Sequence, residues 1–209
     1  MPVVTQLKPQ RDGKRVNVYL DGKFGFGIDL DNLVKFKIKI EKEFSQSEID
    51  KIIYEAEFAK TYNKLLNFAT LRPRSEKEVF DWSKRKKVPK SIYKKLFNRL
   101  NRLELLNDSK FASWWVEQRV QFKFKSKKEL KYELRQKGID KNVIDNALGK
   151  ADVNEEELAK KLFEKNKYKW QKYELQQQKE KAFAFLARKG FPYDIIKNVV
   201  QYGQENENA

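Results

Sequence analysis

The side chains most capable of chemistry in this sequence are cations, and they gather in two clusters. The first comprises Arg72, Arg74, Lys84, Arg85, Lys86 and Lys87; the second comprises Arg119, Lys123, Lys125, Lys127, Lys128, Lys131, Arg135 and Lys137. Ammonium and guanidinium groups at this density bind phosphates or carboxylates, and the arginines add a planar fork that holds either group through two hydrogen bonds. Across 209 residues there are 46 Lys and Arg against 30 Asp and Glu, a formal charge of +16. Such an excess fits a polyanionic partner: nucleic acid, a nucleoprotein assembly or, less well, an anionic membrane surface. For any single lysine the plainer reading is a solvated helix face.

The residue types also exclude chemistry. The chain has no Cys and no His, so disulfide frameworks, thiolate nucleophiles, Ser-His-Asp triads and the usual zinc sites have no residues to build them. Glu155, Glu156 and Glu157 are consecutive, which points them to different sides of a helix and suits compensation of the helix dipole in a first turn better than a shared metal ion. A Mg²⁺ nuclease built from distant carboxylates is kept only as a check. Trp114, Trp115, Phe122 and Phe124 interleave with the second cluster, a pattern that can stack single-stranded bases. However, Phe111, Ala112, Trp115, Val116 and Val120 form a helical stripe, so Trp115 reads as core and Trp114 as the ring left for the surface.

These groups must be positioned mainly by helices. Only the start of the chain alternates with period two: Val16, Val18 and Leu20, then Asp21 and Gly22, then Phe24, Phe26 and Ile28. That is a hairpin with a two-residue turn. Residues 3–8 add a third strand through the turn at Arg11, Asp12 and Gly13. Gly25 and Gly27 lack the spacing of a dinucleotide fingerprint and read as bulge or close-packing positions. In residues 29–44 the alternation of 35–40 suggests a strand while 29–33 suggests a helical turn. From Ser45 the period lengthens, and Ile49, Ile52, Ile53, Ala56 and Ala59 mark one face of a helix reaching about Thr70. Ser45, Ser75, Ser126 and Asn154 each stand three residues before a Glu, the signature of a capped helix start. Ser75 is thus read as a cap and not as a phosphate ligand.

The caps expose a repeat. Ser75 and Glu78 recur 51 residues later as Ser126 and Glu129, and at that offset Lys87 falls on Gly138 and Val88 on Ile139. A further offset of 52 carries Leu134 to Leu186, Gly138 to Gly190 and Ile139 to Phe191. The expected fold is mainly α: three tandem three-helix repeats preceded by a small N-terminal β-hairpin or meander. The boundaries are 1–44 for the hairpin and connector, 45–105, 106–151 and 152–203 for the repeats, and 204–209 for a disordered tail. In the second repeat the helices are expected at 109–120, 127–137 and 141–148. Both cationic clusters occupy the same place in their repeats, so stacking can merge them into one stripe.

Three motifs carry a family resemblance. Leu71, Arg72, Pro73, Arg74, Ser75 and Glu76 lead into Lys77, Glu78 and Val79; Leu106, Asn107 and Asp108 precede Phe111 and Ala112; Leu130 and Leu134 precede Gly138 and Ile139, echoed by Phe185, Leu186, Gly190 and Phe191. Their order and spacing resemble the RecX family, regulators of the RecA recombinase, over nearly the whole chain. Glu41 and Lys87 stand where that pattern has glycine. The resemblance implies a protein without catalytic activity or cofactor. It implies a partner, the RecA filament on single-stranded DNA, and contact with DNA phosphates. The protein would lie in the filament groove, bridge protomers and suppress ATP hydrolysis, extension and strand exchange, thereby affecting DNA repair and recombination. A RecA-independent DNA- or RNA-binding repeat protein is the alternative. No apolar run approaches the ~20 residues of a membrane span and no signal-peptide core follows Met1, so a cytoplasmic protein is expected. No heptad zipper is present, so the expected state is a monomer.

Overall fold

The structure is a computed structural model and describes residues 1–205. The tail expected at 204–209 lies, from Asn206 on, outside the described residues, and the last helix runs to Glu205. The chain divides into two compact units, one formed by Met1–Arg72 with Trp82–Leu105 and one by Pro73–Asp81 with Leu106–Ala209.

The first unit opens with a three-stranded antiparallel meander, β1 (Val4–Pro9), β2 (Arg15–Leu20) and β3 (Lys23–Asp29) in sequential order. Asp21 and Gly22 take φ of 50° and 77°, the paired positive values of a type I′ turn, whose twist matches that of the strands it joins. Val16, Val18, Phe26 and Ile28 share the buried face. The ladder slips between Val18 and Tyr19, opposite Gly25, where an added Cβ would lie 3.0 Å from Leu20.

The connector is not a strand. The Asp29 carboxylate accepts the Asn32 amide at 3.0 Å and caps α1 (Leu30–Lys35). The chain then turns at Lys37 and Glu41, with φ of 51° and 68°, and buries Ile38 and Phe44 against the sheet. Backbone bonds from Val4 N to the Lys42 carbonyl and from Glu41 N to the Val4 carbonyl, both 2.9 Å, tie it back to β1. Alternation in 35–40 therefore reports two buried anchors in an irregular loop. The glutamate adopts the left-handed conformation that glycine takes without strain.

Ser45 caps α2 (Gln46–Thr70) in a full capping box with Glu48. Ile49, Ile52 and Ala56 are buried, whereas Ile53, expected on the same face, is 37% exposed. The first repeat continues with α3 (Glu76–Arg85) and α4 (Tyr93–Arg102). Glu55 of α2 accepts the Lys95 ammonium of α4 at 2.7 Å.

In the second unit α5 (Asp108–Lys123), α6 (Lys127–Gln136) and α7 (Lys141–Lys150) form one repeat, and α8 (Glu155–Asn166), α9 (Leu175–Arg188) and α10 (Tyr193–Glu205) form the next. Asn107, Ser126, Asp140 and Asn154 cap the first four of these helices. The two repeats share one apolar core running from Phe111 and Leu130 through Ile144 and Leu158 to Leu186 and Val199. The side chains that a three-helix cluster cannot bury alone are thus covered by its neighbour.

One joint is built twice in this unit. The Ser75 hydroxyl accepts the Glu78 amide at 3.1 Å and donates to the Lys137 carbonyl at 2.8 Å. The Ser126 hydroxyl accepts the Glu129 amide at 3.2 Å and donates to the Lys189 carbonyl at 2.6 Å. Each serine starts the second helix of its repeat while binding the end of the second helix of the repeat that follows. The residue after that carbonyl is Gly138 or Gly190, each at φ 79°. A Cβ on Gly138 would sit 2.8 Å from Lys77 Cβ, and one on Gly190 3.1 Å from Lys128 Cβ. Glycine is needed there for backbone conformation and for close approach. Lys87, the equivalent residue of the first repeat, takes φ 53° and closes the same turn, with Val88 N donating to the Ser83 carbonyl at 3.0 Å.

Candidate functional site

Helix α6 carries much of the second cationic cluster. Leu130 and Leu134 are fully buried, whereas Lys127, Lys128 and Arg135, off that apolar stripe, are exposed. Lys128, Lys131 and Arg135 follow the i, i+3, i+7 spacing of one helical stripe. Lys123, at the end of α5, is exposed too. None of Lys123, Lys127, Lys128 and Arg135 makes an ion pair within 4 Å among the described residues.

The other cations of this cluster are bound within the fold. Glu133 of α6 is the hub: it accepts Trp115 Nε1 at 2.9 Å, Arg119 Nε at 2.9 Å and Lys125 Nζ at 3.2 Å. The Arg119 guanidinium also lies 4.0 Å from the centroid of the Trp115 ring, where the ring quadrupole attracts a cation. Burial alone would raise the Glu133 carboxyl, but the hydrogen bonds from Arg119, Lys125 and Trp115 outweigh it and hold the group below the ordinary carboxylate value. On Lys125 burial acts to lower the ammonium, and the bonds to Glu133 and Glu129 reverse the sign and raise it. Lys137 bonds Glu78 at 2.7 Å and lies 4.9 Å from the Trp115 ring. Lys131 bonds Asp145 at 2.8 Å and, as the largest influence, holds that carboxyl low. Arg119, Lys125, Lys131 and Lys137, expected among the binding cations, thus each have an internal carboxylate partner: Glu133 for the first two, Asp145 for Lys131 and Glu78 for Lys137.

The first cluster is distributed between the units. Arg72 is half-buried in the first; Arg74 is half-buried in the second, where its backbone forms a bridge with Leu106. Lys84 and Arg85 end α3, where cations complement the helix dipole. Lys86 and Lys87 follow in the turn, and all four are exposed. Arg85, Lys86 and Lys87 make no ion pair among the described residues.

The aromatics resolve as Trp115 buried at 7% exposure and Trp114 half-buried against the same core, its ring centroid 6.1 Å from that of Trp115. The ring expected at the surface is therefore part of the packing. Phe122 is the exposed one, at 56%. Glu155 stands in the first turn of α8, as its dipole-compensating reading requires, and serves a second helix as well: its carboxylate accepts the Lys127 amide of α6 at 2.9 Å. Asp108 does the same for the Glu76 amide at 3.0 Å. Among the described residues no three carboxylates converge to hold an ion. No helix among them is long and apolar enough to cross a membrane. Sequence reasoning missed a third group of cations around Lys169, Lys172 and Lys181, although Lys167, Lys169 and Lys172 each precede an aromatic residue.

A β-meander leading into tandem three-helix repeats, with exposed cations on several of their helices, defines a basic helical-repeat protein. Three family models match the chain in order: the N-terminal domain of regulatory protein RecX at residues 2–45, the second three-helix domain of RecX at 107–148 and the third at 154–200. The regulatory protein RecX of Bacillus subtilis (strain 168) is 36% identical over 99% of this chain and 80% of its own length. That of Clostridium perfringens (strain SM101 / Type A) is 32% identical over 99% of both. The chain belongs to the RecX family. A crystal structure of regulatory protein RecX matches with a TM-score of 0.68 at 25% identity, over 95% of this chain and 98% of that one. RecX from Lactobacillus salivarius matches with a TM-score of 0.58 at 30% identity, over 70% and 96%.

Proposed function

We propose that this chain regulates RecA by docking along the groove of the RecA–DNA filament, bridging neighbouring protomers and suppressing ATP hydrolysis and strand exchange, with no catalytic step of its own. The reading is carried by the serine contact that recurs within the second unit, where the helix starts at Ser75 and Ser126 bind the helix ends at Lys137 and Lys189 in the same way, a regularity that suits a protein tracking a regular polymer. Exposed cations without internal partners supply the attraction: Arg85, Lys86 and Lys87 in one repeat and Lys123, Lys127, Lys128 and Arg135 in the next. Arg119, Lys125, Lys131 and Lys137 act on this surface indirectly: Arg119 and Lys125 hold Glu133 of α6, Lys131 ties α6 to Asp145 of α7, and Lys137 ties the end of α6 to Glu78.

The test adds the chain to RecA-coated single-stranded DNA and follows ATP hydrolysis and strand exchange. Both are expected to slow, and replacing Arg85, Lys127, Lys128 and Arg135 by Ala should relieve the inhibition with helix content unchanged. No effect at saturating chain overturns the proposal. Binding to duplex DNA that needs no RecA and weakens with salt by about 0.9 logarithmic units per phosphate contact would instead favour a free-standing nucleic-acid binder.

A further inference from the structure

The third repeat contains a basic and aromatic site that neither the family resemblance nor the two cationic clusters account for. In the second repeat residues 124–126 suffice to connect the first and second helices; in the third, residues 167–174 do the same work. In the longer segment Lys167, Lys169 and Lys172 each precede an aromatic residue, Tyr168, Trp170 and Tyr173. It borders an open cleft of about 490 Å³ against α9, lined by Lys169, Trp170, Tyr173, Glu180, Lys181 and Arg188.

Two features separate this cleft from ordinary surface. First, its cations are unspent. Lys169 bonds only the neutral Asn166 Oδ1, at 2.7 Å, and none of Lys169, Lys172, Lys181 and Arg188 has a carboxylate within 4 Å among the described residues. Secondly, the ammonium groups are held beside rings. Lys181 Nζ lies 4.3 Å and Lys172 Nζ 5.3 Å from the Tyr173 centroid, and Lys169 Nζ lies 5.6 Å from that of Tyr168. Tyr173 packs on the core, but Tyr168 is 64% exposed and is not part of it.

We infer that this cleft, together with the exposed Tyr168 ring beside its Lys169, binds single-stranded nucleic acid directly, the lysines taking the phosphates and Tyr168 stacking on a base. An unpaired strand presents base faces and phosphates within one nucleotide of each other, which matches a group of cations set beside one exposed ring, Tyr168. In a duplex the base faces are stacked away from a tyrosine at this surface. An acidic polypeptide would use the lysines and leave Tyr168 without a role. The inference is independent of the filament reading, because the site needs no RecA.

The experiment measures fluorescence anisotropy of a labelled oligothymidylate, without RecA, over a series of salt concentrations. Tyr168→Ala should weaken binding about fivefold or more and Tyr168→Phe should preserve it. Replacing Lys169, Lys172 and Lys181 together by Ala should reduce the salt slope by about 2, at ~0.7 per single-strand phosphate contact. Circular dichroism checks that the variants fold, and Tyr168, lying outside the core, keeps the test open should the triple variant fail. Unchanged oligothymidylate binding by Tyr168→Ala overturns the inference, as does competition by polyglutamate as effective as that by unlabelled oligothymidylate. Inhibition of RecA by the same variants is scored separately, so failure of one proposal leaves the other standing.

Discussion

Replacing Ser126 by Ala tests whether the serine is a joint between repeats or merely a helix cap. Its hydroxyl is fully buried and makes two bonds, accepting the Glu129 amide at 3.2 Å and donating to the Lys189 carbonyl at 2.6 Å. Loss of the cap costs about 1 kcal/mol. The stranded carbonyl adds about 1–3 kcal/mol, because a buried acceptor loses its partner without regaining water. The expected cost is therefore about 2–4 kcal/mol. Asn154 supplies the control within the same unit: it is exposed and caps α8 through one bond to the Glu157 amide at 3.1 Å, so Asn154→Ala should cost only about 1 kcal/mol. Urea unfolding of both variants at unchanged m-value gives the comparison, and native-state hydrogen exchange at the start of α6 locates it. Ser75→Ala should match Ser126→Ala, since it makes the equivalent pair of bonds. Equal costs for Ser126→Ala and Asn154→Ala would refute the joint.

Three further outcomes follow from local geometry. Lys87→Gly should stabilise the first unit by up to about 1 kcal/mol in chemical unfolding, because a left-handed lysine carries ~1–2 kcal/mol of strain that the freer unfolded glycine only partly offsets; Gly138→Ala should destabilise the second unit, through the same strain and the contact with Lys77. Glu133 lies below its ordinary value of 4.5, so its contribution is complete above that pH and is lost as pH falls through the lower folded value. Lys125 lies above 10.5, so its contribution is complete below that pH and fades only as alkali passes the raised value. Thermal melts across pH should therefore show the second unit weakening at the acid end, and Glu133→Gln should remove that part of the dependence. Finally, Lys137→Ala should lower the stability of the second unit by about 1.5–3 kcal/mol, the worth of a hydrogen bond to a charged group, whereas Lys86→Ala should leave melting unchanged and reduce inhibition of RecA.

Much of this architecture was legible because each element has its own local signal. Asp21 and Gly22 specify the hairpin turn, Ser45, Ser75, Ser126 and Asn154 specify helix starts, and the leucine and isoleucine spacing specifies the buried faces. The connector was less legible: Lys37 and Glu41 adopt positive φ without being glycine, since tertiary contacts of Ile38 and Phe44 hold them there, and such contacts leave no periodic trace. The candidate site was legible in composition but not in availability. Nothing in the spacing of Arg119, Lys125 and Glu133 announces that all three meet, because Arg119 and Glu133 lie on different helices brought together by the core. Lys169, Lys172 and Lys181 were visible as residues. Their segment falls outside the repeat, so no periodic signal marks it.

The joint also changes what equivalence between repeats means. Cations at one place in successive repeats suggest a shared partner surface, yet Lys137 and Lys189 occupy that place for another reason. Each follows the second helix of its repeat and approaches a glutamate of the repeat before it, Glu78 at 2.7 Å and Glu129 at 3.9 Å. Stacking itself can therefore fix a lysine at a periodic position. The counterpart in the first repeat, 51 residues before Lys137, is Lys86. No three-helix repeat precedes it, so no glutamate is supplied, and its side chain is exposed without an ion pair among the described residues. A position that serves architecture inside the array becomes available for binding at its first repeat. Free cations should accordingly be sought at the ends of the repeat series and in segments that escape the repeat, such as residues 167–174, before they are sought at every periodic lysine.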